Sequence, residues 1–223
     1  MAAAAVVVLA GCSTPLLPYT YTPASAMSAS GTVAIGEFTY DPNKYLQSLA
    51  DGQNTDGNEK FRNTGLSTSQ QHSGGPPGAY APAKSAILPN QARNTAAGSI
   101  LFEHNVADIM RHAAFTELRA IGLRVSGRGI DRVLTGEVQN LMADDLGMNI
   151  DWTLRVVYTV SDRQTENVLY SSVAEIKRST PKFMNVMGAL NDLIRLNIEA
   201  LVSDPKFLEA VRGQDDSMLL VRM

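Results

Sequence analysis

Three stretches in the second half of the chain alternate between apolar and polar residues, which is the period of a β-strand with one buried face. The residues that share a face are Leu134, Gly136, Val138 and Met142 in 132–142; Ile150, Trp152, Leu154, Val156, Tyr158 and Val160 in 150–160; and Val168, Tyr170, Ser172, Ala174 and Ile176 in 168–176. The connectors, 143–149 and 162–167, are short. Because short connectors join antiparallel neighbours, we predict a three-stranded meander.

An earlier strand is predicted over 32–40, where Val33 and Ile35 are followed by Phe38 and Tyr40. The apolar phase slips by one residue at Gly36. A slip of this kind predicts a β-bulge.

Two stretches carry apolar residues every three or four positions, the spacing of an amphipathic helix. The first, 99–121, presents Phe102, Val106, Ile109, Met110, Ala113, Ala114 and Ile121 on one face, and Gly122 is expected to end it. The second is expected to open with Thr180 as its cap and Pro181 at its first position. Its stripe comprises Phe183, Val186, Met187, Leu190, Leu193, Ile194, Ile198, Leu201 and Val202. These elements predict an α+β fold, a two-layer sandwich of a mostly antiparallel sheet and two amphipathic helices.

Two segments depart from these patterns. Residues 43–98 are rich in Gly, Asn, Ser and Pro and poor in apolar residues, so we predict a long disordered insert within a single domain spanning 32–213. This insert is either a solvated loop or an arm that binds a partner. The C-terminal tail, 214–223, contains Met218, Leu219, Leu220 and Val221, which are too apolar to stay in water. We expect this tail to dock on the domain or on a partner.

The N-terminus begins with an apolar run that closes on Leu9-Ala10-Gly11-Cys12. The run is too short to span a bilayer but matches the apolar region of a secretory signal, although no Lys or Arg precedes it and a start upstream of Met1 stays open. The four residues resemble the lipobox of bacterial lipoproteins. We therefore predict a signal peptide over 1–11, lipid on the sulfur of Cys12, and a flexible Pro- and Ser-rich tether over 12–31. Ser13, where an Asp would indicate inner-membrane retention, favours the periplasmic face of the outer membrane by resemblance to sorted lipoproteins.

Composition and motifs exclude several classes of function. A net charge of -3 and 6% aromatic residues argue against nucleic-acid binding, and a single cysteine allows no intramolecular disulfide. His104, Asp108 and His112 are spaced for one helix face, but a solvated surface explains them better than zinc. Asp144-Asp145 and the stretch 126–129 are interpreted as turns, and no Gly-x-Ser-x-Gly motif is present. We expect no enzyme activity and no cofactor.

The segment 131–211 resembles the YajG-type family of bacterial outer-membrane lipoproteins. The resemblance rests on Val133-Leu134-Thr135-Gly136-Glu137-Val138, on the strand from Trp152 to Tyr158, and on Asp204-Pro205-Lys206-Phe207-Leu208. It implies a lipid-anchored domain without established enzyme activity. The same strand-and-helix pattern is shared with the auxiliary lipoproteins of lipid-importing ABC systems.

These observations predict a non-enzymatic outer-membrane lipoprotein whose periplasmic domain binds another envelope component, as an assembly or secretion scaffold. Its expected partners are the membrane, through lipid on Cys12, and an envelope protein or further copies of the chain. The alternative is an auxiliary lipoprotein of an ABC-type lipid transport system, which would hold a lipid ligand in an apolar groove between the helices and the sheet.

Overall fold

The computed structural model describes residues 16–50, 86–95, 98–182 and 185–212. Its elements in chain order are β1 (Ala34–Tyr40), α1 (Pro42–Ala50), β2 (Gln91–Asn94), β3 (Gly98–Leu101), α2 (Val106–Ala120), β4 (Arg132–Asp144), β5 (Asn149–Asp162), β6 (Val168–Pro181), α3 (Val186–Val202) and α4 (Pro205–Arg212). The described residues form a mixed α+β fold around one open sheet, and the predicted fold class is confirmed.

The sheet is built on the predicted meander. Its strand order is β3-β2-β4-β5-β6, and β4 pairs antiparallel with β5, as β5 does with β6. Both β1 and β2 run parallel to β4, along the edge of β4 that faces away from β5. β1 lies beside the first half of β4, and β2 lies beside Met142 and Ala143 near its end. The two short strands therefore follow one another along a single long neighbour.

Two bulges set which side chains reach the core. The predicted bulge in β1 is confirmed between Ile35 and Phe38. A second one interrupts β4 between Val138 and Asn140. Beyond it the buried residues are Leu141 and Ala143, so the prediction that Met142 lies on the core face is wrong. The extra residue reverses the alternation, and the sequence pattern alone does not mark it.

The other two strands mostly follow the prediction. All six apolar residues predicted for one face of β5 are buried, whereas in β6 Tyr170 and Ala174 are buried and Val168, its first residue, is exposed. β6 also runs further than predicted and ends at Pro181. Thr180 does not cap a helix, because its buried hydroxyl accepts a hydrogen bond from the indole N–H of Trp152 at 3.0 Å. α3 instead begins at Val186, with Asn185 as its cap.

The helix layer covers one face of the sheet. α2 begins at Val106 rather than at residue 99, because 98–101 form β3. Its predicted apolar face is buried, and Gly122 ends it with a φ of 109°, as expected. In α3 the buried Asn197 accepts a hydrogen bond from the Tyr158 hydroxyl at 2.7 Å and donates one to the Ala174 carbonyl at 2.9 Å. These bonds tie α3 to the central strand of the meander, β5, and to its edge strand, β6.

Parts of the predicted disordered insert are folded. α1, β2 and the start of β3 lie within 43–98, while 51–85 fall outside the described residues. The described residues before and after 51–85 are in contact. The Asn43 side-chain amide accepts a hydrogen bond from the Ile87 N–H at 3.0 Å and donates one to the Ile87 carbonyl at 2.9 Å. On α1 the Tyr45 ring lies over the Arg155 guanidinium, 5.7 Å away. α1 therefore sits on the sheet face opposite α2 and α3.

Candidate functional site

The segment that connects the predicted lipid anchor to the domain is a structured element. We call residues 16–31 the N-terminal segment. It enters the domain beside β3, where the Leu17 N–H donates to the Leu101 carbonyl at 3.0 Å and the Leu17 carbonyl accepts from the Glu103 N–H at 3.1 Å. Leu17 thereby forms a parallel bridge with Phe102. The chain at Leu17 consequently runs in the same direction as β3.

The next part of the segment is held by one side chain of α3. The Asn191 amide accepts a hydrogen bond from the Thr22 N–H and donates one to the Thr22 carbonyl, both at 2.9 Å. These are the two bonds that a neighbouring strand would make with this residue. Tyr19 is buried beside them, and its hydroxyl lies 3.4 Å from the same Asn191 oxygen. Asn191 therefore replaces a strand partner for a segment that crosses the helices.

A buried carboxylate on α2 fixes the middle of the segment. Glu117 is completely buried, and its oxygens accept hydrogen bonds from the Tyr21 hydroxyl at 2.6 Å and from the Ser25 N–H at 2.8 Å. A buried carboxylate is costly unless it is hydrogen-bonded, so these two donors are needed. Burial, followed by the bond to Glu117, raises the pKa of Tyr21, which therefore stays a donor.

The segment leaves the helices through a second set of backbone bonds. The Ala29 N–H donates to the Ile121 carbonyl at 2.8 Å, and the Gly31 carbonyl accepts from the Arg124 N–H at 2.9 Å. Gly31 has a φ of 148°, and a Cβ there would lie 2.8 Å from the Val211 side chain. Residues 16–31 are thus attached to the domain along their length, whereas the sequence predicts a flexible tether over this range. The difference arises because Tyr19 and Tyr21 supply apolar area and Glu117 and Asn191 supply hydrogen bonds.

Sequence reasoning did not identify Glu117 as important. Its position carried a signal, since it lies four residues after Ala113 and four before Ile121, on the apolar face of α2. A carboxylate in an apolar stripe requires a polar partner from elsewhere in the fold. Asn191 carries no comparable signal, because an Asn that follows Leu190 beside the apolar stripe of α3 looks like an ordinary polar residue of an amphipathic helix.

The predicted site residues are dispersed or lie outside the described part. Cys12, Met218, Leu219, Leu220 and Val221 all fall outside the described residues, so their predicted roles stay predictions. His104 precedes α2 instead of lying on it, and it therefore shares no helix face with Asp108 and His112. In the part of the chain that the structure describes, no group of three or more His, Cys, Asp or Glu side chains could hold a metal ion.

The stretch 126–129 is a bend between α2 and β4, as predicted, whereas Asp144 is the last residue of β4 and Asp145 lies in the connection to β5. Asp144 accepts a hydrogen bond from the Thr95 hydroxyl at 2.7 Å, and Asp145 forms an ion pair with Lys182 at 3.0 Å. Gly127 and Gly129 both have positive φ, 126° and 72°, which accounts for the glycines in the stretch 126–129. Backbone geometry explains the stretch 126–129, whereas side-chain contacts with Thr95 and Lys182 account for Asp144 and Asp145. Across the described ranges, no helix is long and apolar enough to cross a membrane.

Comparisons with known proteins report on the fold. The sequence matches no protein-family model and no curated protein. A solved protein of the DUF330 family from Xanthomonas campestris is similar with a TM-score of 0.50 at 10% identity, covering 92% of this chain and 99% of that one. The hypothetical protein CT253 from Chlamydia trachomatis follows with a TM-score of 0.45 at 8% identity, over 81% and 98% of the two chains.

Lipoprotein GNA1162 from Neisseria meningitidis also has a similar structure, with a TM-score of 0.22 at 18% identity over 35% of this chain and 50% of that one. The first similarity, which spans nearly all of both chains, supports the fold described above. The resemblance to YajG-type lipoproteins stays a prediction.

Proposed function

We propose that the protein is a non-enzymatic lipoprotein, anchored by lipid on Cys12 to the periplasmic face of the outer membrane, whose domain binds another envelope component. The single observation that carries the proposal is the lipobox-like stretch Leu9-Ala10-Gly11-Cys12, which contains the only cysteine of the chain. The docked N-terminal segment supports it, because an anchor residue is followed almost at once by the folded domain.

The spacing has a mechanical consequence for such a protein. Leu17, the first described residue bonded to the sheet, is five positions after Cys12. Five extended residues span at most about 17 Å. An acylated Cys12 therefore holds the domain against the membrane, instead of letting it sample the periplasm on a long tether.

An open sheet edge supports the binding role. Among the described strands, β6 pairs only with β5, and its 14 residues form one border of the sheet. Leu169 and Val173 on this strand are exposed. A long edge with exposed apolar side chains can pair with a further strand from a partner or from a second copy of the chain. The tail residues Met218, Leu219, Leu220 and Val221 are a second proposed contact.

The anchor is tested in cells by incorporation of radiolabelled palmitate into the wild type and into Cys12→Ser, with and without a signal peptidase II inhibitor. We expect labelling of the wild type and none of the variant, because the chain contains no other cysteine. A wild type that takes up no label would remove the basis of the proposal.

The binding role is tested by crosslinking in the same cells. Replacement of the four apolar tail residues by Ser is expected to reduce the crosslinked species while leaving the unfolding temperature unchanged. Unchanged crosslinks would exclude the tail as a contact. Bound phospholipid in native mass spectrometry would favour the transport alternative, which requires room between the helices and the sheet. In the described part of the chain, large buried side chains fill the space between the helices and the sheet, among them Trp152, Tyr158, Leu190 and Leu193.

A further inference from the structure

The turn between β4 and β5 exposes two large apolar side chains at its tip. We call residues 145–148 the apolar turn. Leu146 is 69% exposed and Met148 is 88% exposed, with Gly147 between them. Single exposed apolar residues are ordinary on soluble proteins. Two of them at the end of a hairpin need a second observation before they indicate a contact.

The second observation is the direction in which the chain enters the domain. Leu17 pairs in parallel with Phe102, so Leu16 lies on the side of Leu17 toward the start of β3 at Gly98. Gly98 is paired with Asn94, and Asn94 with Ala143, which is three residues from Leu146. The chain before Leu17 is therefore directed to the end of the sheet that carries the apolar turn.

The distances along the strands match the reach of the anchor. Phe102 lies four residues after Gly98, and Leu146 lies three residues after Ala143. At about 3.3 Å per residue the turn therefore lies roughly 23 Å beyond Leu17 along the strand direction. The five steps along the chain from Cys12 to Leu17 span at most about 17 Å, and a glycerol on the sulfur adds to that reach. The lipid on Cys12 could then reach nearly the same distance from Leu17, along the strand direction, as the tip of the apolar turn.

The two acidic side chains that precede Leu146 are bound to neighbouring groups, and the exposed Asp151 lies opposite Asp144 on β5. The Asp145 carboxylate pairs with Lys182 at 3.0 Å, and Asp144 accepts the Thr95 hydroxyl at 2.7 Å and the Leu146 N–H at 3.4 Å. Both carboxylates are thereby engaged by neighbouring groups, and Leu146 and Met148 are the large apolar side chains exposed at the tip.

We propose that Leu146 and Met148 insert into the lipid surface to which Cys12 is anchored, so that the domain stands on the membrane at two points. The proposal rests on the proposed acylation of Cys12. One acyl anchor leaves a domain free to rotate about its attachment, whereas a second apolar contact fixes its orientation. The opposite end of the meander, where Val168 at the start of β6 is 64% exposed, would then face away from the bilayer.

Tryptophan quenching tests the proposal, because the chain has one tryptophan, Trp152, which is buried. The full-length variants Met148→Trp and Val168→Trp are purified in detergent and reconstituted into phosphatidylethanolamine–phosphatidylglycerol vesicles with normal or brominated acyl chains. We expect brominated lipid to reduce the emission of Met148→Trp at least twofold more than that of the wild type. Val168→Trp, whose position is also exposed but lies at the far end of the sheet, is expected to behave like the wild type apart from brighter emission.

Equal quenching of the two variants, or none of Met148→Trp, would overturn the proposal, since the domain would then lie on its side or keep the turn in water. Leu146→Trp provides a second test should Met148→Trp fold poorly. Intact mass reports acylation of Cys12 separately. For a protein without acyl chains, the Cys12 thiol is coupled to a maleimide-bearing phospholipid in the same vesicles, so the apolar turn is tested even when the proposed function fails.

Discussion

The hydrogen bond between Tyr21 and Glu117 allows a direct test that the N-terminal segment is part of the fold. The change Tyr21→Phe removes only the hydroxyl that donates to the buried carboxylate at 2.6 Å. The chain offers a matched control two residues earlier. Tyr19→Phe is the same chemical change on another buried tyrosine, whose hydroxyl contacts Asn191 at the long distance of 3.4 Å.

The expected magnitudes differ for physical reasons. A hydrogen bond to a charged group contributes about 1.5–3 kcal/mol, and Glu117 keeps its second donor, the Ser25 N–H, so we expect Tyr21→Phe to cost about 2 kcal/mol. A long bond between neutral groups is weak, and we expect Tyr19→Phe to cost less than about 0.5 kcal/mol. For a domain of this size each kcal/mol lowers the unfolding temperature by roughly 2–4 °C. Tyr21→Phe should therefore lower it by about 4–8 °C.

The assay is thermal and urea unfolding of the full-length protein near neutral pH, followed by circular dichroism and by the fluorescence of the buried Trp152. Equal losses for the two variants would refute the assignment of the stabilisation to the bond with Glu117. If neither variant changes the unfolding temperature, the N-terminal segment is not attached to the domain, and the short anchor and the orientation inferred from it would have to be abandoned.

Two further outcomes follow from the packing and charges of the sheet. Gly136→Ala should cost about 1–3 kcal/mol in urea unfolding, because its Cβ would overlap the ring of Phe38, and a loss of less than about 0.5 kcal/mol would contradict that contact. Desolvation raises the pKa of Glu175, but hydrogen bonds from Lys177 and Arg155 outweigh it and leave the pKa below its ordinary value. A lowered carboxyl pKa contributes stability above the unfolded-state pKa, which is lost as pH falls through the folded-state value. The stability advantage of wild type over Glu175→Gln should therefore be largest near neutral pH and shrink as pH falls below 4.5, and an advantage that is constant with pH would contradict this.

Most of the sheet could be predicted because its strands are long and alternate strictly. The whole buried face of β5, from Ile150 to Val160, was predicted correctly, and so was the bulge near Gly36. The two four-residue strands β2 and β3 were not predicted, since four residues are too few for a period to be recognised. They are held by their pairing with β4 and with each other.

The errors at Thr180 and Pro181 have a different origin. A Thr followed by Pro is a common start of a helix, so these two residues locally favour a helix N-terminus. In the folded protein the indole N–H of Trp152 is buried and needs an acceptor, and the Thr180 hydroxyl provides it from the neighbouring strand. The hydrogen bond that buried Trp152 needs, 28 residues away along the chain, therefore outweighed the local preference of Thr180 and Pro181 for the start of a helix.

The sequence by itself determined the order of the main strands and helices, the antiparallel pairing of the meander and the lipobox-like stretch at Cys12, because each depends on residues close together in the chain. Only the tertiary structure decided that the predicted tether is attached to α2 and α3, that the bulge in β4 turns Met142 away from the core, and that the apolar turn lies at the end of the sheet toward which the N-terminus is directed. The physical reason is that a buried polar group needs a hydrogen-bond partner, and the fold can supply that partner from a distant part of the chain. Glu117, for example, accepts a hydrogen bond from Tyr21, which lies 96 residues away.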